Sequence, residues 1–188
     1  LETGMNSWSQ EVEWCFQGSP LLYYPHIFSW KQYETEIGIV NSSDETTVNG
    51  FFRGYTQEGQ FVSESDRIEL SPHAQQDFPV RDLLEHFDAI RYIVFESETT
   101  STARVLGYMK YLVQGDYSSA VPASRAAALN DLHITHIASN ADWATGIALL
   151  NTEPWSKVVA IDFDNGMTKS LTLPAFGQRS FSISGLFK

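Results

Sequence analysis

The feature that most constrains this chain is a stretch that occurs twice. Residues 26–41, HIFSWKQYETEIGIVN, align without a gap with residues 136–151, HIASNADWATGIALLN. His26/His136, Ile27/Ile137, Ser29/Ser139, Thr35/Thr145, Ile37/Ile147 and Asn41/Asn151 are identical. Tyr33/Trp143, Ile39/Leu149 and Val40/Leu150 are alike in kind. A match at constant offset points to one structural unit used twice, so the fold must be one that two similar units can build.

Each copy alternates apolar and polar or small residues after its Thr. Ile37 and Ile39 alternate with Glu36 and Gly38, and Ile147 and Leu149 with Gly146 and Ala148. That two-residue period predicts a half-buried strand. Both strands stop at Asn and run into turn-forming residues, Ser42-Ser43-Asp44 or Thr152-Glu153-Pro154. Asn side chains bond nearby backbone in turns, which gives Asn41 and Asn151 a structural role. His26 and His136 are read as structural imidazoles at strand entry, and Tyr33 and Trp143 as core plugs at matching positions.

The correspondence continues downstream. Val48–Tyr55 and Gln60–Ser65 flank Gln57-Glu58-Gly59, while Val158–Phe163 and Met167–Leu173 flank Asp164-Asn165-Gly166. Both read as hairpins, with Asn-Gly favouring a type I′ turn. Ile68-Glu69-Leu70-Ser71-Pro72 corresponds to Leu171-Thr172-Leu173-Pro174. Phe78, Val80 and Leu83 then correspond to Phe181, Ile183 and Leu186. A short helical turn is expected over Asp82–Asp88.

Tyr92–Glu98 and Ala103–Val113 alternate well and read as a further hairpin, for which the second copy has no counterpart. Trp8, Val12, Trp14 and Phe16 form one apolar face of a strand over 8–17, available to complete a sheet within the chain or in a neighbour. The expected organisation is an N-terminal strand or arm over 1–21 and a first repeat with its extra hairpin over 22–113. A connector over 114–131 then leads to a second repeat over 132–188. The expected fold is all-β: a pseudo-symmetric antiparallel β-sandwich built from two internal repeats.

Composition narrows the function classes. A formal net charge of -11 disfavours nucleic acid, whose phosphates would be repelled. No apolar run approaches the roughly 20 residues a spanning helix needs. Cys15 is the single cysteine, which excludes an intramolecular disulfide and an all-Cys metal site. Many aromatic, Ser and Thr residues with little Lys suit an exported β protein.

The elements Tyr24-Pro25-His26-Ile27, Trp143-x-Thr145-x-Ile147-x-Leu149-x-Asn151, Asp164-Asn165-Gly166 and Leu173-Pro174 come in a fixed order. Gly107-Tyr108 and Val121-Pro122-Ala123 complete the set. Over residues 22–188 the chain resembles a β-sandwich repeat of secreted and cell-surface bacterial proteins. Its units open with Tyr-Phe-Pro-His-Ile and run through Trp-x-Thr-x-Ile-x-Leu-x-Asn-Pro. Ser42 and Thr152 stand where that Pro is usual. The resemblance implies a sandwich and an extracytoplasmic setting, and it implies no activity.

Motifs for chemistry are weak. Asp162-x-Asp164-x-Gly166 resembles the start of a calcium loop, but no downstream Glu completes the spacing and a plain hairpin turn explains it. His133 and His136 sit three apart, on opposite faces of a strand, which is poor for zinc. No Gly-x-Ser-x-Gly elbow is present, and Glu34 and Glu36, on one strand face, read as solvated charges. The expectation is a non-catalytic protein with no cofactor and no metal. Its partners would be proteins, either itself in an oligomer or filament or another surface component. The alternative partner is a polysaccharide, met by aromatic platforms. Trp30 and Trp155, whose counterparts Asn140 and Glu45 are not aromatic, are the foremost binding candidates, followed by Trp8 and Trp14.

Overall fold

The fold is that of a computed structural model, which describes residues 21–28, 33–99, 104–113, 116–125, 132–134, 137 and 145–186. It is all-β with antiparallel sheets, and among the described residues the two α-helices are single turns at Val80–Leu83 and Ile183–Leu186. Among the described residues, no helix is long and apolar enough to cross a membrane.

Among the described residues the first nine strands are β1 Leu21–Tyr24, β2 Tyr33–Asn41, β3 Val48–Tyr55, β4 Phe61–Glu64, β5 Ile68–Leu70, β6 Gln75–Pro79, β7 Tyr92–Ser97, β8 Val105–Val113 and β9 Asp116–Pro122. They form two sheets, β1-β7-β3-β4 with β5 also on β3, and β6-β2-β8-β9. In β3, Val48, Gly50, Phe52 and Gly54 are buried, alternating with Asn49, Phe51, Arg53 and Tyr55, which are half-buried. Period two puts one residue set of each strand inward. Leu22, Tyr24, Ile27, Ile37, Ile39, Phe52, Ile93, Phe95 and Met109 thereby meet between the sheets as one core. The result is sandwich-like.

Four more strands follow: β10 Gly146–Leu150, β11 Lys157–Asp162, β12 Thr168–Leu173 and β13 Gln178–Ser182. They make two pairs, β10–β13 and β11–β12. Their register parallels the first set. Ile37 lies opposite Phe78 and Ile147 opposite Phe181, while Ile39 lies opposite Gln76 and Leu149 opposite Arg179.

The two hairpin turns share one geometry. Thr56 N–H donates to Gln60 O and Gly59 N–H to Thr56 O, just as Phe163 N–H donates to Met167 O and Gly166 N–H to Phe163 O. Gly59 and Gly166 have φ of 81° and 83°, and neither Asn165 nor Glu58 has positive φ. Both are therefore three-residue loops closed by a left-handed glycine, and not the type I′ turn expected from Asn-Gly. The glycine is needed, but one position later in the turn.

Three further expectations give way. Tyr92–Glu98 and Ala103–Val113 do not form a hairpin: β7 pairs with β1 and β3, whereas β8 pairs with β2 and β9. Both edges of β7 are taken and Tyr92 to Phe95 are all buried, so the chain after β7 crosses to the other sheet. The stretch read as a connector contains β9, which pairs with β8. The helical turn near 82–88 falls slightly earlier, at Val80–Leu83, with a 3₁₀ turn at Phe87–Ala89.

Candidate functional site: an open sheet edge

Asn41 and Asn151 do the same work at the ends of β2 and β10. Asn41 is fully buried, and its Nδ2 donates to Thr46 O at 2.7 Å, Leu70 O at 3.0 Å and Ser71 O at 3.1 Å. Its Oδ1 accepts from Ser43 N–H at 3.0 Å. Asn151 Nδ2 donates to Trp155 O and Pro174 O, both at 2.7 Å, and its Oδ1 accepts from Glu153 N–H at 3.1 Å. Each side chain ties a strand end to the next loop and to a distant turn. Those turns, Ser71–Ala74 and Pro174–Gly177, each close with a backbone bond of 3.0 Å and hold a non-glycine residue at positive φ, His73 at 59° and Phe176 at 52°.

His26 is held against Tyr111. Its Nδ1 lies 3.1 Å from Tyr111 Oη, which donates to His26 O at 3.1 Å. Burial, with a smaller effect from the Arg91 charge, lowers its pKa and favours the neutral ring. Tyr33 is half-buried, its ring edge-on to Phe28 at 4.7 Å. Trp155 is 58% exposed. Trp8, Trp14, Trp30, His136 and Trp143 lie outside the described residues, as does the strand expected over 8–17.

The carboxylates read as solvated are in fact tied into ion pairs. Glu34 meets Arg81 at 2.8 Å, and Lys110 bridges Glu36 at 2.6 Å and Asp77 at 3.1 Å. Asp162 Oδ1 accepts from Thr168 Oγ1 across its hairpin. Among the described residues, no group of three His, Cys, Asp or Glu side chains is placed to hold a metal.

The later strands seat on the first set through one turn. Tyr55 and Tyr92 stack at 5.0 Å with planes 9° apart, and Tyr92 Oη donates to Phe176 O at 2.7 Å. Gln178, fully buried, donates from its backbone N–H to Gln57 O at 2.8 Å and from Nε2 to Pro25 O at 3.2 Å. Arg179 adds a longer charge contact to Glu58 at 3.6 Å. Gly59 fits because a Cβ there would stand 2.7 Å from Phe176 O. Burial raises the Tyr23 and Tyr92 pKa values, so this tyrosine face stays neutral under the turn.

Among the described residues, the strands of the second set are paired on fewer edges than their counterparts in the first. β2 is paired on both edges, by β6 and β8, and β3 by β7 on one edge and β4 and β5 on the other. Among the described residues, β10 pairs only with β13 and β11 only with β12. Burial follows the pairing. Leu22, Tyr24 and Ile27 are 3%, 0% and 2% exposed, whereas Leu132, Ile134 and Ile137, at the same repeat offset, are 72%, 54% and 37% exposed. Ile37 and Ile39 are fully buried, but Ile147 and Leu149 are only half-buried. Ile134 and Ile137 line a groove of about 290 Å³ with Asp162, Phe163, Asp164 and Asn165.

This one-sided pairing has no chemical motif of its own. Its sequence signal is the uncharged run Gly146–Leu150, in a chain where charge marks almost every other strand. No protein-family model, no curated protein and no solved structure matches the chain.

Proposed function

We propose that the chain is a non-catalytic, extracytoplasmic structural or adhesive module that acts through protein–protein contacts made by strand complementation. Residues 22–113 and 132–188 are taken as two copies of one pseudo-symmetric sandwich unit, akin to the secreted bacterial repeat. The shared register of Ile37 and Ile147, the matched Asn41 and Asn151 bonding and the twin glycine-closed turns support that kinship. The observation that carries the functional reading is the one-sided pairing of β10 and β11. An unpaired edge beside exposed apolar residues is a template for an added strand.

A peptide of the β8 sequence, Val105–Val113, tests this, because β8 fills the corresponding edge of β2. Added to the intact protein, it is expected to raise the melting temperature and to slow amide exchange at Gly146, Ala148 and Leu150. No change in either refutes strand complementation.

Trp155 supports a second reading, carbohydrate binding through an exposed aromatic surface. Trp155→Ala should then abolish polysaccharide retention with little change in melting temperature. A glycan array without hits for the intact protein rejects it.

A further inference from the structure

We infer that the free edge of β10 pairs with the same edge of a second copy of this chain, so that two half-filled units close on each other. This names the partner within the strand-complementation reading and rests on it. The direction of the backbone groups sets the geometry. Ile183 N–H donates to Thr145 O at 3.1 Å and Asn151 N–H to Gly177 O at 2.9 Å. With the β10–β13 register, residues 145, 147, 149 and 151 therefore turn their polar groups to β13. Gly146, Ala148 and Leu150 turn theirs away, and among the described residues no hydrogen bond reaches them. In β2 the same alternation holds: Asn41 N–H donates to Ala74 O on the β6 side, and Ser42 N–H donates to Arg104 O on the β8 side at 2.7 Å.

Charge and symmetry select a second copy as the occupant. Edge strands are normally guarded by charge, and β10 carries none. In a two-fold antiparallel contact each residue type meets its own strand, so any charged edge would set like charges near one another. A contact centred on Ala148 places Ile147 opposite Leu149 of the second copy, and Gly146 opposite Leu150 of the second copy. Opposed residues share a face, so the half-buried Ile147 and Leu149 cover one another on the core side. The joined sheet, β13-β10-β10-β13, has four strands, as β6-β2-β8-β9 does. Room exists for it. The first strand set contacts the second through Phe176 and Gln178, near the Leu150 end of β10, and antiparallel pairing sends the two first sets to opposite ends.

The test is the mass of the intact protein by light scattering across a concentration series. A dimer is expected. Ala148→Lys and Ala148→Glu each place like charges directly across the two-fold axis, and each should raise the dimer dissociation constant by about tenfold or more. An equimolar mixture of the two should restore the dimer. Ala148→Pro removes only an N–H that faces the second copy, and should give a monomer with unchanged circular dichroism. A monomeric parent protein overturns the inference, as does a monomer whose Gly146–Leu150 amides are already protected, because its own chain would then cover the edge. A dimer that withstands both charged variants also overturns it. Binding of the β8 peptide to a protein that never dimerises would leave strand complementation standing and this partner wrong.

Discussion

Replacing Asn41 by Ala probes a buried side chain with four hydrogen bonds. The amide holds Thr46, Leu70 and Ser71 through Nδ2 and Ser43 through Oδ1, with no exposure to solvent. Ala removes about three net hydrogen bonds, worth about 1 kcal/mol each, and leaves buried carbonyls without a donor. The expected loss is about 3–5 kcal/mol, a large share of the roughly 5–15 kcal/mol that holds a typical domain together. At about 2–4 °C per kcal/mol for a chain of this size, the melting temperature should drop by on the order of 10 °C. Asn41→Asp should be worse than Ala, because it aims a charged oxygen at the same carbonyls. Asn151→Ala should cost less, since Asn151 makes three such hydrogen bonds where Asn41 makes four. Urea unfolding followed by tryptophan fluorescence measures all three. An Asn41→Ala cost below about 1 kcal/mol, or an Asp variant as stable as the parent, would refute the reasoning.

Gly59→Ala and Gly166→Ala form a matched pair: both demand positive φ, but only the first drives a Cβ into Phe176 O. Gly166→Ala should cost about 1–2 kcal/mol from backbone strain alone. Gly59→Ala should cost more and should speed amide exchange at Gln178, which exchange mass spectrometry can read. Burial holds the His26 pKa below its ordinary 6.5, so the unfolded chain binds the proton first. Stability from this group is fully present above about pH 6.5 and is lost as pH falls towards the lower folded value. His26→Gln should flatten that slope in urea midpoints measured between about pH 7 and pH 5. Tyr92→Phe should loosen the Phe176 turn by about 1 kcal/mol with the Tyr55 stack kept.

What the sequence made legible was local chemistry. Asn at a strand end, Gly at the close of a hairpin and the alternation of Ile37 and Ile39 all act within a few residues. Partner choice lay beyond reach. Alternation in Tyr92–Glu98 and Ala103–Val113 marks two strands but cannot say that they enter opposite sheets, since β7 finds β1 and β3 far away in sequence. The Ser-rich β9 lacks the apolar alternation that announces a strand and exists because β8 offers it an edge. Trp155, Phe61 and Phe176 are all exposed, and nothing local marked the two phenylalanines. Glu34 and Glu36 looked solvated because Arg81 and Lys110 reach them only through the folded sheet.

The order in which strands meet has a consequence for how the chain acquires its shape. Leu21 pairs with Glu96 and Tyr33 with Val113, so neither sheet of the first set can close until long loops have been drawn in. Loop closure of that length is an entropic toll collected before any contact rewards it, and topologies of this kind reach the native state over milliseconds to seconds. The β11–β12 hairpin needs only the turn at Gly166 and can form in microseconds. On a ribosome β1 and β2 emerge long before β7 and β8, and for that interval they are nascent edges awaiting partners. Crowded translation of this protein is therefore where its strands are most exposed to each other, copy to copy, before a single native sheet exists.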